Sequence, residues 1–355
     1  MNYIGSKLSL LQFLEESINK VVDKNCKIFC DLFAGTGIVG SYFKKKGYKI
    51  IANDIQYYSY VLNRHYIGNH EELPFLKLMK EISELKNIEI KNRKNFVCSY
   101  LSNLKGAKGF IYKNYCVGGT KNENEERQYF SDENGMRCDA IRQKVEKWKK
   151  EKLIADNEYY FLLATLIETI DRRANTASIY GAFLKQLKKT AQASFVLKPA
   201  ELIINDQEHQ VFNEDINKLA NKVEGDILYL DPPYNHRQYA TNYHILETVA
   251  KYDNPKIHGK TGLREYQNQK SLYCSKSQVK KAFKDLILKA KAKYIFLSYN
   301  NEGLMTLDDI KEIMSLRGKY GYFTKEYNRF KADKSENRNY AASKTLEYLH
   351  YVVCG

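Results

Sequence analysis

The chain has 355 residues, 43% hydrophobic and 28% charged, enough to bury one large core or two moderate ones. Its formal charge of +15 suits a polyanionic partner, although ribosomal or membrane-surface partners fit a basic balance equally well. No apolar run reaches the ~18–20 residues that cross a bilayer, the start lacks a secretory pattern, and 7 Cys with no C-x-x-C pair argue against a disulfide scaffold or a zinc site, so a cytoplasmic protein with reduced thiols and no metal is expected.

Helical periodicity covers 8–22, behind Tyr3-Ile4-Gly5-Ser6-Lys7. Lys27-Ile28-Phe29-Cys30 then reads as a strand running into Asp31-Leu32-Phe33-Ala34-Gly35-Thr36-Gly37-Ile38-Val39-Gly40. Small residues at Ala34, Gly35 and Gly37 let a ligand approach the backbone, and a helix over 41–46 would offer its amino end to negative groups. Taken alone, Gly35, Gly37 and Gly40 fit the G-x-G-x-x-G dinucleotide pattern. The next strand, 48–52, ends at Asn53-Asp54, where an acid ordinarily meets a ribose hydroxyl. Nicotinamide dinucleotides and S-adenosylmethionine both carry a ribose, so Asp54 does not discriminate. Asp31 does, because it would attract the cationic amino group of a methionine moiety and repel a pyrophosphate.

A helix is expected over 57–66, after which 71–150 become charged and lose the alternation of strands and helices. Within them 118–127 read as a mobile loop, the best candidate for a segment that orders only on a polyanionic partner. Helices over 157–172 and 179–189 flank Arg172-Arg173-Ala174-Asn175-Thr176. Arg173 and Asn175 are of the types that pair bidentately with guanine and adenine; a solvated helix end is the competing reading.

The sheet is expected to resume at 200–204. Asp215 and Ile216 close a short segment ahead of a helical stretch to Ala220, and Gly225-Asp226 opens a strand whose apolar run Ile227-Leu228-Tyr229-Leu230 ends at Asp231-Pro232-Pro233-Tyr234. A carboxylate, two rigid residues and a ring thus stand at the carboxyl edge of a sheet, where open α/β folds bind ligands. Proline offers no N–H, so the Pro232 carbonyl is a pre-aimed acceptor. Beyond it, His236, Arg237, Tyr239 and Tyr243 are candidates to line a base pocket and grip phosphates, against the alternative of a solvated loop before a helix at 245–251. A buried strand over 292–300 ends at the same edge, and 324–330 with 345–353 form a closing hairpin. Its joining loop, 331–339, carries Lys334 and Arg338 as candidate phosphate contacts.

Taken in order, Tyr3-Ile4-Gly5-Ser6-Lys7, the loop at 31–37, Asn53-Asp54, Asp215-Ile216 and Asp231-Pro232-Pro233-Tyr234 resemble the motifs of adenine-N6 DNA methyltransferases of the Dam-like alpha group, the D12 class, such as those of type II restriction-modification systems. The resemblance covers both ends of the chain but not the middle, roughly 71–195. It implies an α/β fold: a Rossmann-like S-adenosylmethionine-dependent methyltransferase sheet from 1–70 and 196–355, with an inserted, mainly helical target-recognition region at 71–195. It places Tyr3 and Lys7 at the methionine end of the cofactor, Asp31 at its amino group, Phe33, Gly35 and Gly37 on its adenosine side, Asp54 at the ribose and Asp215 at the adenine amino group. Ile216 stands where the family more often has Phe, so its contact would be dispersive rather than ring stacking. The implied partners are double-stranded DNA and a cognate restriction endonuclease acting separately.

The chemistry expected of Asp231, Pro232 and Tyr234 follows from the target. An aryl amine delocalises its lone pair into the purine, so N6 attacks poorly until acceptors pull on its hydrogens. Asp231 and the Pro232 carbonyl can each accept one N6–H, after which Asp231 takes the proton, with no covalent enzyme intermediate and much of the acceleration coming from placement. A base inside a duplex must first be flipped out, at a cost that stacking on Tyr234 would offset. The competing functions are an RNA adenine methyltransferase, whose motif usually begins with Asn; a cytosine-N4 enzyme, more often with Ser; a nicotinamide dehydrogenase, whose acid lies farther past the glycines than Asp54; and a catalytically silent DNA-binding subunit.

Overall fold

The computed structural model describes residues 3–328 and 344–355. Its strands are β1 (Ile28–Asp31), β2 (Lys49–Asn53), β3 (Gln210–Phe212), β4 (Glu224–Leu230), β5 (Ile257–His258), β6 (Leu263–Arg264), β7 (Lys291–Asn300), β8 (Gly318–Asn328) and β9 (Lys344–Cys354). Seven form one sheet in the order β3-β2-β1-β4-β7-β9-β8, and β5 with β6 makes a separate ribbon. The five strands from β3 to β7 in that order run parallel; β9 is antiparallel to both β7 and β8. The chain winds outward from β1 through β2 to β3 and returns on the other side of β1 as β4. The switch point of this α/β, Rossmann-like sheet therefore falls between β1 and β4.

Two compact units divide the chain: a helical one from Tyr3, 64–204 and 241–266, and a sheet unit from the described parts of 4–63, 205–240 and 267–355. In the sheet unit the alternation of side chains across each strand sorts the faces. Cys30, Leu228, Leu230, Ile295 and Leu297 pack on one face under Phe283, Leu286 and Ile287 of the helix Val279–Lys289, and Ile310 and Met314 of the helix Leu307–Ser315. Phe29 and Tyr229 take the other face, where Phe29 stacks on Phe43 of the helix Ile38–Lys45 with centroids 4.1 Å apart. The register sets Asp31 opposite Tyr229. Asp31, and Asp231 two residues beyond Tyr229, therefore leave the sheet on the Phe29 face at adjacent strand tips.

In the helical unit Ser131 caps the helix Asp132–Lys150, and Arg142, buried on that helix, donates to the carbonyls of Val249 and Ala250 at 3.0 and 3.1 Å. These are carbonyls near the carboxyl end of the helix His244–Lys251, so a buried guanidinium satisfies orphan acceptors there. All seven cysteines are free, and no helix among the described residues is long and apolar enough to cross a membrane.

Several expected elements are replaced. The helix after the glycine loop begins at Ile38 rather than 41, since Gly37 at φ 77° serves as its left-handed N-cap. The helix over 57–66 stops at Asn63 and continues as a π-turn over Arg64–Gly68. No strand forms at 200–204, where the Ala200 N–H donates to Thr165 Oγ1 at 3.2 Å and Ile204 is 56% exposed; Gln210–Phe212 pairs with β2 instead. The helix over 179–189 is absent apart from Lys189 because other groups take its backbone. The Tyr180 carbonyl accepts from Tyr129 Oη at 2.8 Å and lies 3.0 Å from His244 Nε2, and the Asn175 amide donates to the Leu184 carbonyl at 2.9 Å. The loop over 118–127 begins inside a short helix, Val117–Thr120, and ends on Arg127, which donates to the carbonyls of Gly259 and Lys260, both at 3.1 Å.

Candidate active site

The loop leaving β1 turns through Gly35 at φ 52° and Gly37 at φ 77°, conformations that only glycine adopts without strain. Asp54 fastens it: Oδ2 accepts from the Gly35 N–H and Oδ1 from the Gln56 N–H, both at 2.8 Å. A carboxylate has about four lone-pair positions, so the predicted ribose contact and the loop anchor are compatible. Asn53 donates to the Leu32 carbonyl at 3.2 Å and the Glu214 carbonyl at 3.1 Å, which links the ends of β1 and β2 to the segment before Asp215. Asp215 caps the short helix Ile216–Leu219, accepting from the Asn217 N–H at 3.0 Å, and Ile216 is buried beside it. Phe33 is half-buried, edge-on to Tyr273 at 4.9 Å.

At the tip of β1, Asp31 is 1% exposed. Its Oδ2 accepts from the Gly40 N–H at 3.1 Å, while Oδ1 is buried without a hydrogen-bond partner among the described residues. Burial pushes the Asp31 carboxyl up to about 8, with the charge of Asp231 adding to the rise and the Gly40 bond opposing it. A buried acceptor in that state is poorly satisfied by the protein alone. It fits a cationic donor, such as the ammonium of an amino acid moiety, so the donor set agrees with the group expected there.

Asp231, with 18% of its side chain exposed, meets Lys7 Nζ at 3.2 Å. Lys7 is itself 3% exposed and donates to Glu347 Oε1 at 2.8 Å. Burial raises the Asp231 carboxyl to about 6; Lys7 opposes the rise and Glu347 adds to it. For Lys7, burial alone would favour the neutral amine, but Asp231 and Glu347 outweigh it and hold the ammonium well above its ordinary value. The half-buried Tyr234 ring stands edge-on to Tyr299 at 6.3 Å, with Lys7 Nζ 5.9 Å from its centroid, and Pro232 is buried.

Thus Lys7, Asp31, Phe33, Gly35, Gly37, Asp54, Asp215, Ile216, Asp231, Pro232 and Tyr234 all belong to the sheet unit. Tyr3 belongs to the helical unit, stacked on the fully buried Tyr243 at 4.7 Å. Of the expected DNA contacts, His236 and Arg237 are exposed, and Tyr239 is half-buried with its hydroxyl donating to the Ile4 carbonyl at 3.2 Å. Arg173 donates to the Ser194 carbonyl at 2.9 and 3.0 Å. Asn175 is fully buried and uses its side chain on the Gln128 and Leu184 carbonyls and the Lys188 N–H. Lys334 and Arg338 lie outside the described residues. Among the described residues no cluster of His, Cys, Asp and Glu could hold a metal ion.

Glu347 was not anticipated. It lies on β9, antiparallel to the ligand-bearing strands, and pairs with Asn300 at the end of β7. It therefore reaches the same sheet edge from near the start of its own strand. The available signal was an acid set in an otherwise apolar and aromatic stretch, Leu346-Glu347-Tyr348-Leu349, and the Glu347 side chain is fully buried.

Residues 3–313 match the family described as D12 class N6 adenine-specific DNA methyltransferases. The chain is 52% identical over 352 residues to the type II methyltransferase M.NlaIII of Neisseria lactamica, spanning 99% of this chain and 98% of that protein. It is 35% identical to M.CviAII of Paramecium bursaria Chlorella virus 1, again spanning 99% and 98%. Against M.FokI of Planomicrobium okeanokoites it is 40% identical, with 99% of this chain matching 52% of that longer protein.

Proposed function

The chain belongs to the D12 class N6 adenine-specific DNA methyltransferases, and from that membership we propose that S-adenosylmethionine is its methyl donor, with the cationic amino group on Asp31. The buried Oδ1 of Asp31, without a partner among the described residues and beside a loop opened by Gly35 and Gly37, carries this reading. When bound, the cofactor supplies an electrophilic sulfonium methyl. Asp231 and the Pro232 carbonyl accept the two N6 hydrogens of a flipped-out adenine, Tyr234 stacks on its ring, and Asp231 takes the proton. Its raised carboxyl suits proton uptake near neutrality. Transfer is direct, with no covalent enzyme intermediate.

The duplex is held through counterion release, which the +15 formal charge supports, and the exposed His236 and Arg237 follow the catalytic motif closely enough to grip phosphates beside the flipped base. Target recognition falls to 71–195, with Arg173 a candidate contact. A cognate restriction endonuclease acting separately on the same site, and a cytoplasmic location beside the DNA, complete the reading; the type II methyltransferases among the relatives support the first.

The test of the cofactor assignment is calorimetric titration with S-adenosylmethionine. The Asp31→Asn variant should bind about 10–100-fold more weakly, the worth of one charged hydrogen bond, and wild-type affinity in the variant contradicts the assignment. The unliganded variant gains on stability. Because the folded carboxyl of Asp31 lies above its unfolded value, wild type loses stability as pH rises from about 4 through about 8. Asp31→Asn removes that loss, so thermal melts at pH 8 should show the variant at least as stable as wild type.

A further inference from the structure

We propose that Glu347 is a positioning residue for methyl transfer: it anchors the Lys7 ammonium from behind, so that Lys7 does not close onto Asp231 and the open side of that carboxylate stays free to accept from the target amine. The inference rests on the role given to Asp231 above. Its basis is a three-group chain, carboxylate to ammonium to carboxylate, in which Lys7 makes its shorter bond, 2.8 Å, to Glu347 and its longer one, 3.2 Å, to Asp231. Glu347 is fully buried, Asp231 is partly open, and among the described residues Lys7 is the polar side chain that Asp231 meets.

A lysine facing Asp231 alone would close onto it. The ammonium would then occupy a carboxylate oxygen, hold its charge, and leave a weaker acceptor for an amine that carries no charge of its own. Glu347 divides the attraction. Lys7 stays at the back of the site, fixed by two partners, and the exposed side of Asp231 remains available. Glu347 Oε2 is buried with no partner among the described residues, a cost that packing does not require and that holding Lys7 would explain.

Other titratable groups around Asp231 are Asp31 at the neighbouring strand tip, the neutral hydroxyls of Tyr229 and Tyr234, and Glu302, whose charge acts on Tyr234. Tyr229 is fully buried and donates to Ser298 at 2.9 Å. None of these touches Lys7 as Glu347 does. Removing the Glu347 charge while leaving them in place isolates its effect.

The experiment is the pH dependence of single-turnover methyl transfer to duplex DNA with saturating S-adenosylmethionine. In Glu347→Gln the acid limb should move to lower pH by about one unit, because a like charge near Asp231 has been removed, and the plateau rate should fall at least about tenfold as Lys7 closes on Asp231. Glu347→Asp keeps the charge and should restore the limb to its wild-type position. Should Glu347→Gln fold poorly, the same comparison of Glu347→Asp with wild type remains: a limb that moves down despite the retained charge overturns the proposal. So does a limb that stays in place in Glu347→Gln. Loss of activity in Asp231→Ala together with an unmoved limb in Glu347→Gln removes this inference alone, whereas activity retained in Asp231→Ala removes the reading on which it rests.

Discussion

Asp231→Ala should lower single-turnover methyl transfer by roughly 10³–10⁴-fold, toward the upper end of what a positioned acid or base supplies, while cofactor affinity stays close to wild type. The two effects separate because the roles separate. In the proposed reading Asp231 accepts from the amine, whereas the cofactor's amino group is assigned to Asp31, whose Oδ1 has no partner among the described residues. Rapid-quench kinetics with labelled cofactor measure the first, and calorimetry the second. An Ala variant that still turns over at a tenth of the wild-type rate would leave Asp231 without a chemical role. A variant that loses cofactor binding and turnover together would mean that the two carboxylates act as one site.

The second large effect is on stability. Lys7→Met removes the ammonium between Asp231 and Glu347 and leaves both carboxylates unpaired at a mostly buried site, for which about 3–5 kcal/mol of lost stability is expected. The sign with pH follows from the same charges. The deficit grows as pH rises above the wild-type Asp231 value of about 6, where that carboxylate is ionised beside Lys7, and shrinks as acid neutralises it. The acid limb of any residual activity should move to higher pH, opposite to the shift expected for Glu347→Gln, because Lys7 opposes the rise in Asp231. Denaturant titrations at pH 5 and pH 8 would show this. Equal stability of variant and wild type at pH 8 would mean that the ion pairs are replaceable by packing alone.

What could be read from the sequence was the part governed by local rules. β1, β2, β4 and β7 are short apolar runs that end in polar residues, and each was located to within a residue or two because buried parallel strands need such runs. The carboxylates at their tips followed, since strand ends in an open α/β sheet are where ligands bind. Gly35 and Gly37 were legible as loop glycines, and both take positive φ. Illegible residues were those whose place depends on a partner far along the chain. Asn175 has the chemistry of a base reader, but its side chain is used on Gln128, Leu184 and Lys188. Tyr243 sits in a ring-rich segment suited to base stacking, yet it is buried against Tyr3. The stretch over 179–189 has helical periodicity that tertiary hydrogen bonds to Tyr180 and Leu184 override. Glu347 was hidden for a topological reason: only the antiparallel pairing of β9 with β7 brings it, 340 residues from Lys7 in sequence, to that edge.

The most direct test is to incubate the purified protein with duplex DNA and methyl-labelled S-adenosylmethionine, digest the DNA to nucleosides, and map the modified bases by long-read sequencing. Label in N6-methyladenine, confined to one short recurring sequence and absent with Asp231→Ala, is the predicted result. Label on cytosine or on RNA, or no label despite tight cofactor binding, would contradict the account.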